Sequence, residues 1–410
     1  MLYLSGGDRL LSLSFWRQKS LGVENVIVLK QFRREPMADT YTLGVEEEYQ
    51  LVDPGTRELC GRAGRVLAAT GDQGDRVQPE LHRCQIEIAT SVCKSLGEVR
   101  EELVRSRQVV FDAAAEQKVA VVAAGTHPFS PWQEQTLTDK ARYRRLAQDM
   151  KQVIRELIIF GCHVHVGLNG DQFRSEPELA LEVVNRCRLW LAPLLALTAN
   201  SPFWEGKDTG YDSFRTELWC RLPTAGPPPY FTDYPEYDAF LQALIQTNVI
   251  QDATTVYWDI RLSENFPTIE FRITDVCLTI DEAVMLAGLI KALVRTCRDE
   301  AIASHPYDPI KSELLKAAHW TAARYGLSGD LIDLQQQQAI SAKDGIQQLM
   351  TYLKPALEAE GDWDTVNGIV QNLLAEGNSA SRQRQWYKES GTWEGVVDRL
   401  IEQTAKGLST

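Results

Sequence analysis

The sequence predicts an α+β protein in which one antiparallel sheet is backed by helices, and three observations lead there. Five short segments alternate apolar and polar residues at the period of a β-strand. Their polar sides carry acids, imidazoles and arginines but no lysine. The chain after Thr279 reads as nearly all helix, so strands and helices are not interleaved as in a repeating βαβ array.

The first 36 residues hold a short apolar run, Leu10 to Trp16 after Arg9, without the small-residue pattern of a cleaved signal. They read as an extension, residues 1–36, with the functional chain beginning near Met37. No Gly/Ser-rich or Pro-rich linker divides the remainder, so 37–410 is expected to be a single catalytic domain.

The first patterned strand is Leu43 to Leu51. One face carries Leu43, Val45, Tyr49 and Leu51, the other Glu46, Glu48 and Gln50, and Glu47 is an exception on the apolar side. Cys84 to Ile88 alternates likewise and presents Gln85 and Glu87. Ser95 with Glu98 has the capping-box form of a helix start. Val119 to Ala124 is an apolar strand followed by the turn Gly125-Thr126-His127-Pro128-Phe129.

In Cys162-His163-Val164-His165-Val166 the two histidines share a face. Ser175 to Asn200 fits a buried helix that Pro193 should bend or end. Ser201 to Phe231 is a long irregular segment of the kind that carries function. Val256 to Leu262 and Thr268 to Ile273 are two more strands with an acid and an arginine on one side. Thr279 with Glu282 opens the helical C-terminal part.

Composition narrows the partners. A formal net charge of -13 argues against nucleic acid, whose binding depends on cationic side chains neutralising phosphates. A nucleotide remains compatible where a divalent cation and a few arginines reverse the local field. The eight cysteines are scattered without C-x-x-C spacing, which fits a reduced cytoplasm, and none is assigned a catalytic role. No apolar run reaches the roughly 18 to 20 residues needed to span a bilayer.

If the five strands form one sheet, its open face becomes a cleft lined by Glu46, Glu48, Glu87, His163, His165, Asp259, Arg261, Glu270 and Arg272. Solvation explains any one such polar face, but less well five without a lysine. Glu46 and Glu48 lie roughly 7 Å apart along a strand, a repulsion of about 2 kcal/mol at an effective dielectric of about 20. Sheltered together they need a cation. Several carboxylates with one imidazole suit Mg²⁺ or Mn²⁺, which share their coordination with substrate phosphates, while arginines clamp phosphate or carboxylate oxygens. His165 fits a ligand or a hydrogen-bonded neighbour of one equally well, and His82, His127, His305 and His319 read as structural. There is no P-loop, no G-x-G-x-x-G before a helix and no G-x-S-x-G elbow.

The stretch Thr42-Leu43-Gly44-Val45-Glu46-Glu47-Glu48-Tyr49-Gln50-Leu51-Val52-Asp53-Pro54 resembles the opening strand of the carboxylate-amine ligases of the glutamate-cysteine ligase type 2 family. Further resemblances follow in the family's order: Gln85 to Ile88, Ala124 to Phe129, Gly161 to Gly167, Ser201 to Trp204, Asp208 to Tyr211 with Arg215, Thr268 to Arg272, and Arg382-Gln383-Arg384. The resemblance implies a curved antiparallel sheet flanked by helices, as in glutamine synthetase and the guanido kinases. It implies metal ligation by Glu46, Glu48, Glu87, His163 and Glu270, ATP phosphate on Arg272, a substrate carboxylate on Arg215, and Mg²⁺ or Mn²⁺ with ATP as co-substrate. Arg261, on the same face, is placed with the ATP-binding groups. The implied chemistry is attack of a carboxylate on the γ-phosphoryl group and capture of the acyl phosphate by an amine. With glutamate and cysteine the product is γ-glutamylcysteine, which belongs to glutathione biosynthesis. A homodimer is the base-rate expectation.

Two other readings stay open. A zinc-dependent hydrolase built on His163-x-His165 predicts zinc in the protein and hydrolysis without ATP. A non-catalytic nucleotide or amino-acid binding protein of the same fold predicts binding without ADP release.

Overall fold

The alternation that begins at Tyr41 produces a 12-residue strand, β1 (Tyr41–Val52), against which the rest of the sheet is laid. The computed structural model describes residues 39–71 and 76–409, so the extension expected over 1–36 lies outside the described residues. One edge of β1 pairs with β3 (Gln85–Ala89), which carries β2 (Val77–Pro79). The other edge pairs first with β5 (Cys162–Leu168) and then with β4 (Ala120–Val122). Beyond β5 lie β9 (Thr268–Phe271) and β8 (Ile260–Leu262). The result is one antiparallel sheet of seven strands, as the sequence pattern requires.

The apolar side of the sheet is sealed by helices. Leu43, Val45, Tyr49, Ile86, Ile88, Val164 and Val166 are buried in one core with the helices Leu96–Glu116 and Ile280–Ile302. Each such aliphatic side chain removed from water contributes about 1.5–3 kcal/mol. Both helices start where the capping boxes place them: Ser95 accepts from Glu98 N and Thr279 from Glu282 N. Glu47, the acid on the apolar side, is fully buried against an equally buried Arg107, with Glu47 Oε1 2.6 Å from Nη2. Arg107 spends its remaining N–H groups on the carbonyls of Cys277, Leu278 and Thr404, so this core charge pair is satisfied on every side.

Several elements differ from expectation. The helix around Pro193 breaks earlier, as Pro177–Cys187, a 3₁₀ turn and Leu191–Thr198, because Pro193 falls in the first turn of the last helix, where no backbone donor is needed. The irregular Ser201 to Phe231 segment contains the small hairpin β6 (Phe203–Trp204) and β7 (Lys207–Asp208) and the helix Phe214–Trp219. The helical C-terminal part is interrupted by the hairpin β10 (Asp330–Asp333) and β11 (Gln338–Ser341). Val256 to Trp258 does not join the sheet, and Asp259 keeps a single bond to it, its carbonyl accepting from Arg272 N. Tyr257 N donates to Thr224 Oγ1 and Asp259 N to Gly226 O, so this stretch follows the neighbouring loop while Val256 and Trp258 pack with Phe231, Tyr237 and Leu241.

Candidate active site

Strand register brings the polar groups into one band across the sheet. Glu48 stands opposite Glu87, Glu46 opposite His163, His165 opposite Glu270, and Glu270 opposite Arg261. Residues on adjacent antiparallel strands at such positions lie about 4.5–5.5 Å apart. Eight of the nine residues expected to line the cleft thus belong to one arrangement.

Asp259 is the correction. Its carboxylate leaves the band and meets His319 of the helix Ser312–Tyr325 instead, Oδ2 2.9 Å from Nδ1, with both residues buried. The cause is the departure of Val256 to Trp258 from the sheet described above. His82 and His127 are structural as expected: His82 Nδ1 meets Gln85 Oε1 at 3.1 Å, and His127 Nδ1 accepts from Ser130 N at 2.9 Å.

The acidic side of the band is short of cations. Glu48 Oε2 accepts from Gly161 N at 2.7 Å, yet burial and then the charge of Glu80 push its pKa up to about 7. Burial and the charges of Glu46, Glu80 and Glu48 push Glu87 well above the ordinary carboxylate range. Glu80, just beyond β2, is itself raised by burial, and it accepts from Tyr143 OH at 3.1 Å. Sequence reasoning missed Glu80 because β2 is only three residues long and contains Pro79. The alternation of Gln78 and Glu80 was the available signal.

Glu46 bridges the acids and the imidazoles. Its Oε2 lies 3.2 Å from His163 Nδ1 and its Oε1 3.5 Å from His165 Nε2. Burial opposes its ionisation, but the bonds and charges of the two histidines outweigh that and hold it well below its usual value. Burial and the nearby Arg272 lower His163 to about 4, so it is a neutral imidazole able to offer a lone pair. For His165 burial acts the same way, yet Glu46 prevails and its pKa rises. His165 Nδ1 lies 2.9 Å from Thr268 Oγ1.

The opposite side of the band is compensated. Glu270 receives Arg261 through Nε (2.9 Å) and Nη2 (3.1 Å), and Arg272 through Nη1. Against the cost of burial these two arginines hold its carboxyl far below the usual range. Arg272 and Arg215 both lie over the ring of Trp219, at 5.5 and 5.7 Å, an aromatic wall that the sequence did not single out. Arg215 is 2% exposed, and its guanidinium donates to the carbonyls of Arg272 and Ile273. The Nε groups of Arg215 and Arg272 are buried without an acceptor, which marks this side as a place for oxyanions.

Among the described residues no three His, Cys, Asp or Glu side chains are drawn close enough to hold a metal ion as they stand. The donor set nevertheless fits a hard divalent cation. Glu46, Glu48, Glu80 and Glu87 are crowded carboxylates with His163 neutral beside them, and the burial and mutual repulsion that raise Glu48 and Glu87 are what a bound cation would offset. Glu270 fits less directly, since both its oxygens are held by arginine.

The fold defines the class: it is that of the glutamate–cysteine ligases. The chain superimposes with a TM-score of 0.68 on a Francisella tularensis glutamate–cysteine ligase in complex with AMP, over 90% of this chain and 89% of that one at 14% identity. It superimposes with a TM-score of 0.67 on a bifunctional glutathione synthetase from Pasteurella multocida, over 89% of this chain and 51% of that one at 16% identity. The chain belongs to glutamate-cysteine ligase family 2, whose sequence model matches residues 42–403. It is 40% identical over 369 residues to a Rhodopirellula baltica protein provisionally assigned as glutamate–cysteine ligase 2, spanning 88% of this chain and 96% of that one. A similarly assigned Mycolicibacterium vanbaalenii protein is 40% identical over 372 residues, spanning 91% and 99%. No helix among the described residues is long and apolar enough to cross a membrane.

Proposed function

We propose that this protein is an ATP-dependent carboxylate-amine ligase of the cytoplasm that activates a small carboxylate as its acyl phosphate and transfers it to an amine. The observation that carries this reading is the division of one sheet face into an acid-rich side short of cations and an arginine-rich side with buried donors to spare. Such a face suits a reaction in which a divalent cation and a phosphorylated substrate must meet.

Glu46, Glu48, Glu87 and His163 would hold Mg²⁺ or Mn²⁺, with Glu80 beside them. Glu270 would join once a phosphate gives Arg261 and Arg272 another partner. The ion would spread the charge of the transferring phosphoryl group. Arg272, in the shelter of Trp219, and Arg261 bind and neutralise phosphate oxygens away from bulk water, where the interaction is stronger. Arg215 orients the substrate carboxylate. The incoming carboxylate oxygen displaces ADP from the γ-phosphorus, and the amine then displaces phosphate from the acyl carbon and loses a proton. No side chain needs to act as a covalent nucleophile.

Glutamate and cysteine are the substrates proposed first, giving γ-glutamylcysteine, ADP and phosphate; the relatives' assignment as glutamate–cysteine ligase 2 supports this choice. The test is ADP release from Mg-ATP with glutamate and a panel of amines including cysteine. Release that needs both partners and disappears in Glu46→Gln supports the ligase. ATP binding without release for every pair leaves a binding protein, and hydrolysis without ATP together with bound zinc points to the hydrolase.

A further inference from the structure

Two stretches conspicuous in the sequence, Asp208 to Tyr211 and Arg382-Gln383-Arg384, make no hydrogen bond to the acids of the site. Arg384 and Asp208 form a partly exposed ion pair, Arg382 pairs with Glu282, and Gln383 enters a buried polar chain that ends on Arg215. Arg384 on the helix Ser379–Ser390 pairs with Asp208 at 2.9 Å and with Asp212, and Asn378 Nδ2 donates to Asp212 Oδ2 at 2.9 Å. Gln383, 1% exposed, donates from Nε2 to Asn200 Oδ1 at 2.8 Å and to Asn200 O at 3.1 Å. Asn200 N in turn donates to Asp275 Oδ2 at 2.7 Å.

Asp275 has no exposed surface and accepts from three donors. Beyond Asn200 N, it accepts from Ser201 Oγ and Ser213 Oγ, each at 2.7 Å. Ser201 Oγ then accepts from Arg215 N at 3.0 Å, while Ser213 caps the helix Phe214–Trp219 that carries Arg215. The far end of Arg215 is fixed by the same strand: its Nη1 and Nη2 donate to Ile273 O and Arg272 O at 3.3 Å, just before Asp275. The guanidinium lies against Gly161, where a Cβ would come within 2.4 Å of Nη2, so glycine there leaves the space that the guanidinium occupies. With only Arg215 Nε left without an acceptor, this buried network is rigid, and removing one member leaves others unpaired.

We infer that Asp275 and Gln383 are positioning residues for the substrate carboxylate: through Asn200, Ser201 and Ser213 they set Arg215 at the angle at which it binds that group. This rests on the reading of Arg215 as the carboxylate-binding arginine. Gln383 of the Arg-Gln-Arg element therefore governs affinity for one substrate without touching it.

The test is steady-state kinetics on the full chain with Gln383→Asn and Ser213→Ala, each alone and combined with Arg215→Ala. Misplacing a fixed guanidinium should raise the KM for the carboxylate about tenfold or more while the KM for ATP stays within about twofold. In the Arg215→Ala background neither change should add anything. Equal changes in both KM values, or effects that add to that of Arg215→Ala, overturn the inference, because a general structural role predicts them. If one variant fails to fold, the other decides. If the wild type releases ADP with no dependence on a carboxylate, the reading of Arg215 falls and takes this inference with it. If the wild type shows that dependence and the carboxylate KM is unmoved in both variants, only this inference falls.

Discussion

On β3 and β1 the polar face holds acids that repel one another, whereas on β9 and β8 a single acid is held by two arginines. Glu87 is driven well above the ordinary carboxylate range by burial and by its neighbours, and Glu270 is held far below it. Both lie on the same side of the same sheet, so the contrast comes from charge composition rather than burial alone. The lesson is that the chain accepts electrostatic strain where a cation is needed and relieves it where anions are to be received.

The contrast predicts effects of opposite sign. Glu270→Gln leaves two buried guanidinia without a carboxylate and should destabilise the fold by about 3–5 kcal/mol, read by urea or thermal unfolding. Arg272→Ala should lower ADP release on the order of 10²–10³-fold, as expected for a lost donor to a developing oxyanion, with ATP binding also weakened. Glu87→Gln should do the reverse of Glu270→Gln to stability. Removing a repelled carboxylate should stabilise the metal-free protein by about 1 kcal/mol while abolishing metal-dependent activity. Equal destabilisation by Glu87→Gln and Glu270→Gln would break the comparison.

A smaller effect follows from protonation. Glu48 has a folded pKa raised to about 7, so it favours the native state while protonated and loses that contribution as pH rises through 7. Burial also lowers His82 and His163 to about 4 and His127 to about 3, and the unfolded-state titration of these imidazoles near pH 6.5 adds stability across the same window, so Glu48 is read as the difference between the wild type and Glu48→Gln. Between pH 6.5 and 8 the metal-free wild type should lose about 1 kcal/mol relative to Glu48→Gln, and added Mg²⁺ should abolish that difference. Melting curves at the two pH values, with and without Mg²⁺, check this. A metal-free wild type that gains stability relative to Glu48→Gln between these pH values would contradict it.

The sequence made the acid and imidazole rows legible because β1, β3 and β5 follow a two-residue period, and one face of each is apolar but for Glu47. The capped helices Leu96–Glu116 and Ile280–Ile302 were legible through Ser95 and Thr279 for the same local reason. Asp259 misled because its alternation continues through a segment whose backbone bonds go to Thr224 and Gly226, a tertiary choice with no local mark. Glu80 and Trp219 were hidden for a related reason. A three-residue strand and a one-turn helix leave too short a pattern to read, and their place in the site comes from what they fold against. The buried partners of Arg215 lie far apart in sequence, from Ser201 to Gln383, so only the fold could join them.

The most direct test of the divided face is calorimetric titration of Mn²⁺, standing in for Mg²⁺, into the metal-free protein at pH 8, for the wild type, Glu87→Gln and Arg272→Ala. The account predicts binding in the wild type, its loss in Glu87→Gln and its retention in Arg272→Ala. Absence of binding in the wild type, or binding unchanged in Glu87→Gln, would contradict it.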